Sequence, residues 1–472
     1  MKKTFLFAAA FFFALCSPLL ISCGDDDEPN SGGEEKPINE ELLDPDASKK
    51  YLEEVGIEFL NKFKADDFRR YVDLFMEIYG IVGESDLETM EPWLEEFLEK
   101  TVSEEGNTSE RTDVWSGDTW TYIYHYLYQD TKYLILASNL TGHWTLEDDE
   151  WTRTDADDLS ATVTNAEGKK YALSLTTKGK VETVHFIDDE EGTDHMGMGI
   201  YDDETHTVTY EKQCDKFCYY VGVPEHLTLA LTENGAKVAE WNIDVNLKDI
   251  KDSEFDLAKS SVSAKTTLTL DNGYSIKFED FTYNNKKFAS KAAILKKGEK
   301  LTEVAVTSDI RNMAHVTLPE FINMYDETED AFESAETTAG AGLSIDVLGK
   351  VQLKGSVDDI AALMADTEAA DDDDKDETKF KSDLEKINKH LDINLYYQGG
   401  NKKQATFLLQ PIEYDLGRWM PEPAITFPDG SSYSMEVYFN EEDFKSLIKV
   451  AKQLRDDFYG LMGGEEEYIE ED

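Results

Sequence analysis

Through the middle third of the chain, apolar side chains return at every second position, and turn-forming residues interrupt the runs at short intervals. A repeat of two marks an extended strand with one face turned inward. The runs come in pairs: Ala161 to Leu175 around Gly168, Leu227 to Leu247 around Asn234-Gly235, and Thr266 to Phe278 around Asn272-Gly273. Asn-Gly supplies the positive φ angles that two-residue hairpin turns require. The pattern therefore predicts successive hairpins, an antiparallel meander. A short echo joins Gly235–Glu240 (GAKVAE) to Gly298–Glu303 (GEKLTE), and reads as shared turn chemistry rather than a duplicated hairpin.

On either side the period changes. Leu52, Val55, Phe59 and Phe63 share one helical face, and Phe68, Val72, Phe75 and Tyr79 a second, before Gly80 and Gly83 break the pattern. A third run carries Leu87, Leu94, Phe97 and Leu98. Downstream, Thr317 and Glu320 form a capping box for a segment through Phe332. Leu343, Ile345, Val347, Val351 and Leu353 alternate along one long strand, and two short helical stretches flank a charged hinge at 365–377. Ile425 to Phe439 reads as a hairpin turning at Pro428-Asp429-Gly430. Asn440 caps a final helix with an apolar face of Phe444, Leu447, Ile448, Ala451, Leu454 and Phe458. The expected fold class is α+β: an antiparallel, strand-rich meander with helices at both ends covering the sheet. The body divides into helices plus β-rich meander at 47–308 and a mixed α/β part at 309–462 with an acidic insert at 365–377. An acidic tail follows at 463–472.

The first 46 residues are of another kind. Lys2 and Lys3 precede an apolar run from Phe5 to Ile21, which approaches the length of a membrane span. The run ends in Leu20-Ile21-Ser22-Cys23, followed by Gly24-Asp25-Asp26-Asp27-Glu28. The four-residue box resembles the lipobox of bacterial lipoproteins. The acidic run behind it resembles the surface-export signal of Bacteroidota lipoproteins. The resemblance implies cleavage of a signal peptide at 1–22, acylation of the Cys23 thiol, and display on the outer membrane facing the cell exterior. An uncleaved anchor helix is the alternative. Residues 23–46 are polar, with Ser31-Gly32-Gly33 and Pro37, and predict a flexible acidic tether that spans roughly 25 Å. The likeness is confined to this leader; the strand-rich body is unlike the helical-repeat sugar-binding lipoproteins of that group.

Of the 472 residues, removal of 22 leaves 450, carrying 44 basic and 100 acidic side chains for a net charge of −56. So acidic a body argues against nucleic acid and anionic lipid headgroups as partners. Its acidic runs read as solvated loops, and none has the spacing of a calcium-binding loop. Beyond Cys16 in the leader and Cys23, the cysteines are Cys214 and Cys218. On a straight strand their Cα atoms would lie roughly 13 Å apart, beyond disulfide reach. On a helical turn or tight loop they would come close enough for a small disulfide, the expected reading outside the cytoplasm.

The search for chemistry assigns no catalytic, metal-binding or cofactor-binding residue. Gly342 to Lys350 lacks the spacing and the hydroxyl of a phosphate-binding loop, and no H-E-x-x-H or G-x-S-x-G motif is present. Asp194, His195, Met196, Met198 and His206 read as a turn that happens to hold soft ligands. The segment WTYIYHYLY is different: Trp120, Tyr122, Tyr124, Tyr126 and Tyr128 fall at alternate positions, about 6.8 Å apart on one face of a strand. Such a row packs well under the opening helices. Left open, it suits a flat ligand such as a sugar ring. The expectation is a lipid-anchored surface protein, held to the membrane through Cys23, with a non-catalytic role in binding a glycan or protein partner. An extracytoplasmic hydrolase with a carboxylate site and a lipid carrier are the alternatives.

Overall fold

The computed structural model describes residues 42–83, 102–106, 109–116, 119–125, 129–136, 141–191, 200–202, 207–212, 215–284, 286–310, 318, 338–370, 377–415 and 418–461. Two helices open the body, α1 (Pro45–Leu60) and α2 (Asp66–Gly83). A first group of strands follows: β1 (Val102–Gly106), β2 (Ser109–Ser116), β3 (Thr119–His125), β4 (Gln129–Leu136), β5 (Gly142–Glu147), β6 (Glu150–Thr154) and β7 (Leu159–Thr164). The long β8 (Lys170–Glu191) leads through β9 (Ile200–Asp202) and β10 (Thr207–Lys212) to the equally extended β11 (Asp215–Glu233). The meander continues with β12 (Ala236–Lys248), β13 (Ser261–Leu270), β14 (Tyr274–Asn284), β15 (Lys287–Lys296), β16 (Glu299–Ile310), β17 (Thr338–Val347) and β18 (Val351–Val357). After α3 (Ile360–Ala370) and α4 (Glu377–Lys389) come β19 (Leu391–Tyr397), β20 (Ala405–Asp415), β21 (Arg418–Thr426) and β22 (Ser432–Ser434). The short α5 (Met435–Tyr438) and the long α6 (Lys445–Leu461) complete the chain.

The fold is strand-rich, with one large, mostly antiparallel open sheet and a few helices. Its trunk is the ladder of β8 with β11, which runs from Asp215↔Glu191 to Glu233↔Tyr171. The other edge of β11 is shared. Asp215–Gly222 pairs in parallel with β4, and His226–Glu233 pairs antiparallel with β12. Pro224 sits at the changeover, where a missing N–H costs no ladder bond. From β12 to β22 each strand pairs antiparallel with the next. On the far side of β8 the order continues β7, β5, β6, with β5 and β7 parallel. A separate four-stranded sheet has the order β3-β2-β10-β9.

The three hairpins expected in the middle third form, whereas the one expected over 425–439 turns at Pro428–Gly430 but its second arm stops at Ser434, and Met435–Tyr438 is helical. Asn234 and Gly235 take φ of 49° and 80°, the geometry of a two-residue turn whose twist matches its strands. The apolar clusters gather at the strand ends. Val55, Phe59 and Leu60 of α1 meet Leu454 of α6 over Tyr274, Leu301 and Val347. Leu74 of α2 meets Trp144, Leu146, Trp151, Val163, Tyr171 and Val238. Burying each such side chain contributes about 1.5–3 kcal/mol. α1 begins where Asp44 accepts a bond from Ala47 N at 2.8 Å and Pro45 opens the first turn. Gly56 lets α6 close on α1, since a Cβ there would meet both Leu447 methyls at 2.9 Å.

Several local expectations need correction. α2 runs on through Gly80 to Gly83, and its sheet-facing side is Tyr71, Leu74, Ile78 and Ile81; Phe75 and Tyr79 are exposed. Phe68 of the expected stripe does pack against Tyr274 and Phe458, but farther along α2, which is apolar on two sides, the sheet takes Leu74 and Ile78 in place of Phe75 and Tyr79. The single long strand over 343–353 is a hairpin, β17 and β18, in which Val347 pairs with Val351. A three-residue turn preserves the parity of both arms, so the alternation continues straight through it. α3 extends into the expected hinge as far as Ala370. Asn440 does cap the chain ahead of α6, accepting from Glu442 N and Asp443 N at 3.0 Å each. The runs at 87–98 and 317–332 lie outside the described residues, apart from Leu318.

α2 is fastened to three hairpin turns by polar bonds. Arg70 pairs with Glu233 at the end of β11 and with Asp271 in the β13–β14 turn, and Lys169 shares Glu233. Glu77 accepts from Asn165 and from the Tyr171 hydroxyl. Lys296 Nζ reaches Asp67 Oδ2 at 2.8 Å, and Tyr274 donates to Lys62 O at 2.6 Å. Burial alone would raise the Asp67 carboxyl, but the Lys296 ammonium and Tyr274 hydroxyl outweigh it and hold it below its ordinary 3.8. Lys169 and then Arg70 hold Glu233 below 4.5. Each carboxylate therefore stabilises the fold fully above its ordinary value, and the contribution is lost as pH falls through the lower folded-state value. Hydrogen exchange on 66–83 should accelerate below pH 3.8 before exchange in β8 and β11 does. Simultaneous release of helix and trunk would show that the clasp is not a separate acid-sensitive unit. For the apolar core, Leu301→Ala should lower stability in urea unfolding by about 2–5 kcal/mol, because that side chain is fully buried between α1, α6 and the sheet.

Candidate functional site

Strand parity divides the middle of the meander into two unlike faces. The apolar face of β8, β11, β12, β13, β14 and β15 carries a row in register: Leu175, Leu229, Trp241, Leu268, Ile276 and Ile294. One step toward the turns, Leu270 and Tyr274 lie beneath the helices. One step away come Leu227, Ile243, Thr266 and Phe278. An antiparallel sheet with clean alternation normally packs its apolar side on something. Here the helices reach the strand ends and Ile294 packs against their cluster, while in the middle of the row Trp241 stays 43% exposed and Ile276 39%. Trp241 Nε1 donates to Thr266 Oγ1 on the adjoining strand, two positions from its direct partner Leu268. That bond draws the indole along the sheet and satisfies its polar atom, leaving ring surface for contact.

The opposite face is polar and bonded to itself. Thr228 donates to Asn242 Oδ1 at 2.9 Å, Asn242 donates to Glu240 Oε1 at 3.1 Å, and Lys237 pairs with Glu240. The same device recurs in β19 and β20: Thr406 to Asn394 at 2.9 Å, Asn394 to Asp392 at 2.7 Å, and Lys403 on Asp392. On this side a groove of about 400 Å3 crosses β11 to β14, lined in part by His226, Asp244, Ser263, Lys265 and Thr282. His226 Nδ1 and Asp244 Oδ1 lie 2.6 Å apart across the strands, and both side chains are more than half exposed. An open His–Asp pair in direct register is a cross-strand contact of the kind that stabilises sheets.

The displaced carboxyls among the described residues are Asp67, Glu77, Glu233, Glu240, Asp392, Asp429 and Asp443, and every one is held low by cations or hydrogen-bond donors. A general acid working near neutral pH needs the reverse, a carboxyl pushed up. Among the described residues no group of three or more His, Cys, Asp or Glu is disposed to hold a metal ion, and no helix is long and apolar enough to cross a membrane.

The residues singled out in the sequence fall as follows. Cys23 and Cys214 lie outside the described residues. Cys218 is buried in β11, opposite Lys132 of β4 and Asp188 of β8. Trp120, Tyr122 and Tyr124 occupy alternate positions of β3, while Tyr126 and Tyr128 lie outside the described residues. In register, Trp120 faces Trp115, Tyr122 faces Asp113, and Tyr124 faces Arg111, which in turn faces Tyr210. Asp194, His195, Met196, Met198 and His206 also lie outside the described residues. Trp241 was missed as a site residue. Its only signal in the sequence is the alternation of Leu227, Leu229, Trp241 and Ile243, which marks a hairpin but not which face of it is covered.

No protein-family model, no curated protein and no solved structure matches this chain. The local geometry makes a direct prediction. Thr266→Val removes the acceptor of the Trp241 indole, so the indole should turn away from its neighbour and its fluorescence should become more accessible to acrylamide, with the melting temperature nearly unchanged. Quenching identical to that of the parent chain would show that the bond does not set the ring's position.

Proposed function

We propose that this chain is a lipid-anchored surface protein, acylated at Cys23 and displayed on the outer membrane, that binds a ligand without transforming it. The observation that carries the binding role is the uncovered apolar row centred on Trp241. A polar device repeated on the opposite face satisfies its own hydrogen bonds, whereas the apolar face retains ring and aliphatic surface without a covering layer. Flat ligands with an apolar face and a hydroxyl rim suit this arrangement: the indole takes the flat face, and Thr266, Thr177 and neighbouring hydroxyls meet the rim. A glycan is the ligand class with that chemistry. The lowered carboxyls favour this reading over a hydrolase, and the open setting of the row favours it over a carrier that encloses its cargo. The alternate aromatics of β3 form a second proposed platform, since β3 is an edge strand of its sheet and its register brings Asp113 and Arg111 beside Tyr122 and Tyr124.

Two measurements test the parts separately. Cys23→Ala should release the chain from membranes and abolish incorporation of labelled palmitate; palmitate still entering that variant refutes the anchor. Trp241→Ala should weaken retardation in polysaccharide-containing gels about tenfold, equivalent to ~1.4 kcal/mol, while leaving the melting temperature within a few degrees. Tyr124→Ala tests the second platform in the same gels. A large drop in melting temperature with either substitution would assign that ring to packing.

A further inference from the structure

The five most exposed large apolar side chains among the described residues all stand on helices at the turn end of the sheet. They are Tyr79, Phe75 and Met76 of α2, Val437 of α5 and Tyr459 of α6, each between 57% and 65% exposed. Phe75 and Tyr79 lie one helical turn apart with their rings stacked, centroids 6.2 Å apart and 19° between planes. α2 thus has two apolar sides. Tyr71, Leu74, Ile78 and Ile81 are spent on the sheet, while Phe75, Met76 and Tyr79 face outward. A helix of this kind is amphipathic with respect to more than its own core, and a contiguous exposed apolar patch marks an interaction surface.

The chain leading from Cys23 arrives at the same end. Leu43 N donates to Gln404 Oε1 at 3.1 Å, and the Tyr438 hydroxyl donates to Pro45 O at 3.3 Å, so the tether meets the body beside α5. The 22 residues from Cys23 to Asp44 have the composition of a tether that would span roughly 25 Å, which would keep this end close to wherever Cys23 is held. Charge points the same way. α1, α2 and α6 together carry eight basic and ten acidic side chains, whereas the rest of the mature chain carries 36 basic and 90 acidic. The helices themselves therefore add little repulsion against a bilayer, and charges beyond a Debye length of about 8 Å are largely screened.

We infer that the helical end is the face this protein turns to the bilayer, with Phe75, Met76 and Tyr79 seated at the headgroup boundary. The inference rests on the proposed anchor at Cys23, which supplies the proximity, and it adds the orientation of the body. Tyrosine suits this depth because its ring is apolar and its hydroxyl is wet. A short amphipathic patch adds a second, weaker hold to the acyl chains and limits tumbling on the tether. In this pose the sheet extends away from the membrane, and the apolar row at Trp241 stands clear of the lipid.

Methionine oxidation reads the orientation directly, because Met76 lies in the patch while Met364 of α3 and Met420 of β21 are exposed outside it. The acylated full mature chain, bound to phosphatidylcholine vesicles, is treated with hydrogen peroxide and mapped by mass spectrometry, with the Cys23→Ala chain in the same buffer as reference. The expected result is at least a fivefold slower oxidation of Met76 on vesicles, with Met364 and Met420 unchanged. The double substitution Phe75→Asp with Tyr79→Asp should restore Met76 oxidation while the acylated chain stays vesicle-bound. If the chain floats with the vesicles and Met76 oxidises as fast as Met364, the orientation is overturned and the anchor stands. Protection of Met76 already present in the Cys23→Ala chain would also overturn it, by showing that the patch is covered by this chain or a second copy. A chain that does not float at all removes the anchor and the orientation with it.

Discussion

The ladder between β8 and β11 is the element on which the other strands depend. Both strands are unusually long, and they stay paired through two register shifts. Because β11 is longer than any neighbour on its other edge, it divides that edge between a parallel partner, β4, and an antiparallel one, β12. Pro224 marks the division, after the last residue paired with β4 and before the first paired with β12. Everything from β12 to β22 is then a one-directional meander, each strand templated by the last. The architecture is an extended sheet seeded at one ladder and not closed on itself.

Such a sheet has a simple difficulty: it makes more apolar face than its few helices can occupy. The chain handles the two faces differently. The polar face is built from cross-strand triads of Thr, Asn and carboxylate closed by a lysine, and the triad in β11–β12 reappears in β19–β20. The apolar face is closed at the hairpin turns by Leu301, Tyr274 and Val347 under α1 and α6 and by Tyr171 and Val238 under α2, and at the opposite strand ends by Phe255 and Leu257 of the β12–β13 connection, against which Leu247, Val262 and Tyr283 pack. The middle rows remain open. That asymmetry is the feature on which the proposed binding role rests.

How much of this was legible in the sequence follows from the range over which each signal acts. Turns and alternation are local, so Asn234-Gly235 and the parity of Leu227, Leu229, Trp241 and Ile243 announced a hairpin correctly. The fact that Trp241 is uncovered depends on where the upstream helices stop, at Leu60 and Gly83, and no local pattern encodes that. The β17–β18 hairpin was misread because a three-residue turn at Leu348 to Lys350 leaves the alternation in phase, so its arms mimic one strand. On α2 both stripes are apolar, and only the partner surface distinguishes the side bearing Leu74 from the side bearing Phe75. The parallel pairing of β4 with β11 joins distant segments and had no signature at all.

The meeting of Val55 and Phe59 with Leu454 has a kinetic consequence. The first helix of the body finds its main apolar partner almost at the opposite terminus, after the whole meander has been laid down. A polypeptide threaded across a membrane from its amino terminus would hold that first helix unfinished until the last segment emerged. Contacts of such long sequence separation are slow to form. A chain cut short before α6 would leave Val55 and Phe59 without Leu454 and present the raw edge of its own core to any protease nearby.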